Sequence, residues 1–268
     1  MIDAHVHFWR IGANGCTWPG ADLPAIHRDF DSDDFRVAAG GSVEELLLVQ
    51  SQENAVDTEW LLGLADPLIA GVVGWADLAA PDAPARVAAL AAHAGLRGLR
   101  PMVQGRPDNW YDTANDAALA EMVRRDLVLD ALVQPRHLES LERLAVRHPG
   151  LAIVIDHAAK PQAGAIDSWA RAIDSIARCP NVHCKLSGLV TESAAIADAF
   201  AVIWRAFGPE RLLWGSDWPV VTLAASYGDW REMARVLVPA AHHDAVFGEN
   251  ARRLYRLGKG RPDDGKGS

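Results

Sequence analysis

Apolar residues fall along this chain in short, nearly continuous runs, separated by longer stretches with helical spacing. The runs are Ile2–Phe8, Glu45–Gln50, Ile69–Leu78, Leu96–Met102, Leu127–Gln134, Leu151–His157, Val182–Ser187 and Arg211–Asp217. Rich in Val, Ile and Leu, they predict strands buried on both faces of a parallel sheet. Helices are expected over Asn54–Asp66, Ala83–Ala94, Asn115–Arg125, Arg136–His148, Asp167–Cys179, Glu192–Phe207, Gly228–Leu237 and His242–Leu257. In Arg136–His148, for example, Leu138, Leu141, Leu144 and Ala145 share one helical face before Pro149-Gly150 ends the run. Strands alternating with helices predict a (β/α)8 TIM barrel, a single domain over residues 1–257. No GxGxxG or GxxxxGK[ST] follows any strand, which removes the usual reason to choose an open doubly wound sheet. The connection from Trp9 to Gly41 is long, leaves the C-terminal end of the first strand, and reads as a partial lid. Residues 258–268 are Gly- and charge-rich and are expected to be a disordered tail.

Bulk properties narrow the role. The 268 residues are 50% hydrophobic, enough for a large core, and the net charge of -9 argues against a nucleic-acid or membrane-surface partner. There is no apolar run of membrane-spanning length and no visible secretion signal. Cys16, Cys179 and Cys184 are odd in number and lack CxxC spacing, which fits free thiols in a reducing cytoplasm. The chain holds ten tryptophans, of which Trp9, Trp18, Trp110 and Trp218 fall in expected loops, where an indole can cover the face of a sugar-like ligand. Oligomeric state is not legible.

Chemistry concentrates at the strand ends. His5 and His7 lie two apart on the first strand, so both rings point to one face, where they can ligate a metal or act on one bound molecule. By the same alternation Asp3 is expected on that face, with Ile2, Ala4 and Val6 on the other. Later strands carry or end in Gln50, Trp75 and Asp77, Arg100, Gln134, Asp156-His157, Lys185 and Ser187, and Ser216-Asp217. Charges at the ends of apolar runs need partners or a task. Lys160, before Pro161, reads as a solvated loop residue.

These motifs also have a family likeness. His5-Val-His7, His157 in IDHAAKP and Asp217 in LLWGSDWP resemble the amidohydrolase superfamily. LRGLRPM, VQPRHL, NVHCKLSG and RLLWGSDWP are similar to its sugar-lactonase branch, which acts on L-fuconolactone and L-rhamnonolactone and is related to pyrone-dicarboxylate lactonase. The resemblance, from residue 1 to about Leu257, implies a hydrolase with His5, His7, His157 and Asp217 at its core. It implies substrate contacts from Arg100, Gln134 and Lys185, to which Trp75 and Trp18 are added as aromatic covers. Where binuclear members carry a lysine on strand 4 and a histidine on strand 5, this chain has Arg100 and Gln134, so at most one divalent ion is expected. Three imidazoles and Asp217 would suit Zn²⁺ with one open position. The resemblance equally allows a metal-independent site in which Arg100 or Lys185 polarises the carbonyl.

The expected activity is hydrolysis of a small sugar lactone to its aldonic acid, with Asp217 as general base toward water. Two other classes share these features: a metal-dependent decarboxylase of an aromatic or unsaturated acid, and a non-catalytic sugar-binding barrel. The general-base candidate beside three histidines speaks against mere binding.

Overall fold

The computed structural model describes residues 1–192 and 195–258. The tail from Lys259 to Ser268 lies outside the described residues. Eight parallel strands run in sheet order β1 (Ile2–Val6), β2 (Glu45–Val49), β3 (Ile69–Gly74), β4 (Leu96–Leu99), β5 (Val128–Ala131), β6 (Ile153–Ile155), β7 (Val182–Leu186) and β8 (Leu212–Trp214). Just past β8 the chain returns to β1: Asp217 N donates to His5 O (2.9 Å) and His7 N to Trp218 O (2.8 Å). Gly215 permits this approach, since a Cβ there would sit 2.6 Å from the His5 Cβ. The result is a (β/α)8 barrel.

Helices α1 (Ser32–Ala39), α2 (Ala55–Leu62), α3 (Ala83–Leu90), α4 (Asp116–Arg124), α5 (Leu138–Arg147), α6 (Ile166–Ile176), α7 (Leu189–Glu192), α8 (Ile196–Phe207), α9 (Tyr227–Leu237) and α10 (Asn250–Leu254) complete the order. Their starts follow local chemistry: Asn54, Asn115 and Ser226 each accept from a backbone N–H of the following first turn. None is long and apolar enough to cross a membrane. The expected lid is shorter than the sequence suggests, because α1 occupies Ser32–Ala39 within it. Asp31 caps that helix, and only Phe35 and Ala39 are buried, so its apolar stripe is too thin to register as a period. Trp9 and Phe30 exchange backbone hydrogen bonds and close what precedes α1 into a loop.

Two apolar layers result. Outside the sheet, Leu46, Leu48, Leu129 and Ile153 pack with helix residues such as Leu61, Leu141 and Trp169. Inside the barrel, Ile2, Ala4, Leu47, Val49, Val73, Val128, Val154 and Leu213 form a separate cluster, closed by Ala251, Tyr255 and Leu257 from the C-terminal segment. This floor leaves the opposite, C-terminal end of the barrel for polar groups.

The first strand departs from simple alternation. Its register runs Ile2–Glu45, Asp3–Leu46, Val6–Leu48, three residues of β1 against two of β2. The bulge switches the facing pattern midway. Ile2 and Ala4 join the interior cluster, and beyond the bulge His5 and His7 point to the interior too, while Val6 packs outside. Asp3 therefore does not share the histidine face. It turns to the β1–β8 seam, accepting from Ser216 N (2.8 Å), His5 N (3.2 Å) and the hydroxyl of Tyr227 on α9 (3.1 Å). Burial raises its pKa to about 6 despite these donors.

Candidate active site

The polar groups form two tiers above the apolar floor. In the lower tier stand Asp130 on β5, Asp156 just past β6 and Lys185 on β7, all fully enclosed. The Lys185 ammonium lies 2.5 Å from Asp130 Oδ2, 3.1 Å from Asp156 Oδ1 and 3.2 Å from His5 Nδ1. Tyr255 donates to both Asp130 oxygens (2.8 and 2.9 Å), tying the floor to this tier. Arg100, just after β4, reaches Asp156 Oδ2 and His5 Nε2, each at 3.4 Å, and donates to the Gln50 carbonyl; the Gln50 amide donates back to Arg100 O (2.8 Å).

Burial would push Asp156 up, yet Lys185, His5 and Arg100 hold it well below the usual carboxylate range. For Asp130 burial wins, and the pKa rises to about 6. Burial pulls Lys185 down, but its two carboxylates keep it raised. The same burial, reinforced by Lys185, holds His5 well below its ordinary value.

In the upper tier three imidazoles surround one carboxylate. Asp217 Oδ1 lies 3.3 Å from His7 Nε2, 3.6 Å from His5 Nε2 and 3.9 Å from His157 Nε2. Each neighbour is oriented from behind: His5 Nδ1 meets the Lys185 ammonium at 3.2 Å, His7 Nδ1 the Val49 carbonyl at 2.7 Å, and His157 Nδ1 Ser187 Oγ at 2.9 Å. Burial opposes the Asp217 charge, but His157, His7 and His5 hold its pKa well below the carboxylate range. The ligand atoms of His5, His7 and Asp217 all lie within 4.8 Å of one another, a geometry able to hold a metal ion, and His157 Nε2 approaches Asp217 Oδ1 to 3.9 Å.

Backbone strain accompanies these positions. His157, Ala158, Ala159 and Lys160 all have positive φ, between 50 and 59°, and Asp217 has φ 59°. A left-handed non-glycine residue costs about 1–2 kcal/mol, so such a turn persists only where its surroundings hold it. Here the Trp169 indole donates to Ala158 O (2.7 Å) and Lys160 N to His157 O (2.8 Å). Gly188 leaves room, since a Cβ there would lie 2.5 Å from His157 Nδ1. The turn aims His157 and Lys160 at the same space.

That space is a cavity of about 480 Å³ at the C-terminal end of the barrel. His7, His157, Asp217 and Arg100 line it, together with Trp18, Gln52, Glu53, Lys160 and Glu192. Lys160 is thus a wall residue, paired with Glu192 at 2.6 Å, and not simply solvated. Three residues expected at the substrate do not reach the wall. Lys185 is sealed beneath His5. Gln134 caps the turn Pro135–His137 and accepts from Arg136. Trp75 is half-buried after β3, outside the lining. Asp130 was legible as a lone carboxylate within the apolar run LVLDALV, whereas Gln52, Glu53 and Glu192 carry no local signal.

Residues 2–257 match the amidohydrolase family model. The chain belongs to the amidohydrolase family. This amidohydrolase is 44% identical to an L-fucono-1,5-lactonase of Burkholderia ambifaria, over 96% of this chain and 95% of that protein. It is 36% identical to an L-fucono-1,5-lactonase of Burkholderia multivorans, over 96% of each. A crystal structure of a Burkholderia multivorans amidohydrolase with bound zinc superposes with a TM-score of 0.87 at 34% identity, covering 96% of this chain and 99% of that one.

Proposed function

We propose that this amidohydrolase opens a small sugar lactone, with L-fucono-1,5-lactone the first substrate to test, to the free aldonic acid. The observation that carries this reading is one ionised carboxylate ringed by three imidazoles on the wall of a sugar-sized cavity, with the Arg100 guanidinium 3.4 Å from His5. Lactone hydrolysis needs an activated water, a polarised carbonyl and a proton for the departing ring oxygen. Asp217 takes the proton from water as the new C–O bond forms, when that water has become acidic, so a carboxylate of low basicity suffices. The ring C–O bond then breaks, and Asp217 returns the proton to the leaving oxygen. Arg100, the cation of the lower tier that also lines the cavity, stabilises the developing oxyanion. The three imidazoles keep Asp217 ionised and fix its position. Lys160 and Glu192 offer a donor and acceptors to ring hydroxyls, and Trp18 an apolar face.

His5, His7 and Asp217 also fit a single divalent ion, as the His7 Nδ1 contact with Val49 O leaves its Nε2 free to ligate. A bound Zn²⁺ would supply Lewis-acid polarisation of the carbonyl. A reducing cytoplasmic setting accords with free Cys16, Cys179 and Cys184.

Acid release from a panel of aldonolactones tests the reading. Asp217→Asn should lower kcat by about 10²–10⁴-fold with the fold retained. Full turnover by that variant would remove Asp217 as the base, and CO₂ release from an aromatic acid with lactones inert would replace the hydrolase by a decarboxylase.

A further inference from the structure

In the loop after β1, Asn54 Nδ2 donates to Gly15 O (3.1 Å) and His27 Nδ1 meets Pro19 O (2.9 Å), while the stretch that forms the cavity wall, Thr17 and Trp18, is bound chiefly by Gln52. Gln52, just beyond β2, is 2% exposed although it borders the cavity. Its Oε1 accepts from Thr17 N (2.9 Å) and Trp18 N (3.3 Å), and its amide nitrogen donates to Trp18 O (2.7 Å) and Ser51 Oγ (2.8 Å). Both amide hydrogens and the oxygen are committed, so nothing remains for a ligand. Gln52 grips the Trp18 peptide from both sides, as a neighbouring strand would.

The gripped residue faces the ligand space. Trp18 packs edge-on against Trp9, ring centroids 5.4 Å apart, is 36% exposed and lines the cavity. Trp9 in turn is fixed by its indole N–H to Arg28 O (2.8 Å) and lies 6.4 Å from the His7 ring. One side of the indole is therefore braced and the rest is free to meet the C–H face of a ring held over His7 and Asp217. Thr17 and Trp18 lie in a loop with no regular secondary structure, and a loop position of this kind is set by whatever bonds its backbone.

We propose that Gln52 is a positioning residue for substrate recognition, acting through Trp18 to build the aromatic wall that accepts the sugar ring. The inference rests on the lactonase reading above, and adds to it which residue sets ring affinity. Steady-state kinetics on the lactone with Trp18→Ala, Gln52→Leu and the double variant test it. Trp18→Ala should raise KM about tenfold, and Gln52→Leu about five- to tenfold, with kcat changed less than about twofold. In the double variant KM should be no higher than in Trp18→Ala alone, because the second change removes a support whose load is already gone. Multiplication of the two effects to about 50–100-fold would overturn the proposal, as a general structural role predicts it. Gln52→Glu keeps length and acceptor but loses both donors, and gives the same comparison if the leucine variant does not fold. Absence of lactone turnover in the wild-type protein would count against the lactonase reading. A crystal structure of the Gln52 variant with Trp18 unmoved would count against this one.

Discussion

Replacing Lys185 with methionine keeps the bulk of the side chain and deletes one charge from a sealed cluster. Two carboxylates then lose their shared cation. Asp130 keeps only the Tyr255 hydroxyl, and Asp156 keeps Arg100 at 3.4 Å. Breaking a buried ion pair from one side costs about 3–5 kcal/mol, because the remaining charge stays buried without a partner. For a domain of this size about 1 kcal/mol moves Tm by roughly 2–4 °C, so Lys185→Met should melt about 6–20 °C below the wild type. The loss should depend on pH. Burial already raises Asp130 to about 6 against the pull of Lys185, and without Lys185 it must rise further. A folded pKa above the unfolded value of about 3.9 means that the folded state favours the proton. Its contribution is full below that value and is lost as pH rises through the folded pKa. The gap between variant and wild type should therefore be small near pH 5 and large near pH 8. Asp130→Asn added to Lys185→Met should recover much of the loss. Denaturant melts at the two pH values, with calorimetry, supply the measurement. A variant within about 1 kcal/mol of wild type at pH 8, or a gap that narrows as pH rises, would refute the reasoning. Because Lys185 lies beneath His5 and outside the cavity, any lost activity should fall on kcat rather than KM.

Two further outcomes follow from the same geometry. Gly188→Ala places a methyl 2.5 Å from His157 Nδ1 at φ +63°, so it should cost about 1–2 kcal/mol in backbone strain and displace the ring. A shift of that kind can lower kcat by about 10²-fold, which kinetics beside a thermal melt will check, and an unchanged kcat would show that His157 need not sit where it does. Calorimetric titration of metal-stripped protein with Zn²⁺ should give one equivalent that His7→Ala abolishes; two equivalents, or binding indifferent to His7, would reject the His5–His7–Asp217 site.

The eight strands were legible because parallel strands covered on both faces read as apolar runs, and the onsets of β1, β2, β3, β4 and β7 coincide with the starts of those runs. Helices with a strong capping residue, such as those after Asn54 and Asn115, were legible for a local reason as well. Helix α1 was hidden by its thin buried face, and the facing of Asp3 by a bulge that depends on how β1 pairs with β2. At the site, His5, His7, His157, Asp217 and Arg100 were readable as polar groups at strand ends, and the structure brings them together. Lys185 was read at the right strand but the wrong depth. Its height in the barrel depends on strand stagger and on carboxylates from β5 and from the end of β6. Gln52 and Glu192 reach the cavity through loop and helix placement, which no local pattern encodes.

The sequence by itself determined the element order, the barrel class and the strand ends on which chemistry is available, because hydrophobic period and capping act over a few residues. Tertiary structure decided which polar side chains face one another and which are sealed away. Asp217 meets His5 from the far end of the chain only when the last strand returns to the first, and Gly215 allows that approach. Whether a lysine touches substrate or supports a histidine is a matter of a few ångströms set by register, bulge and closure. These are properties of the assembled sheet, and no segment carries them alone.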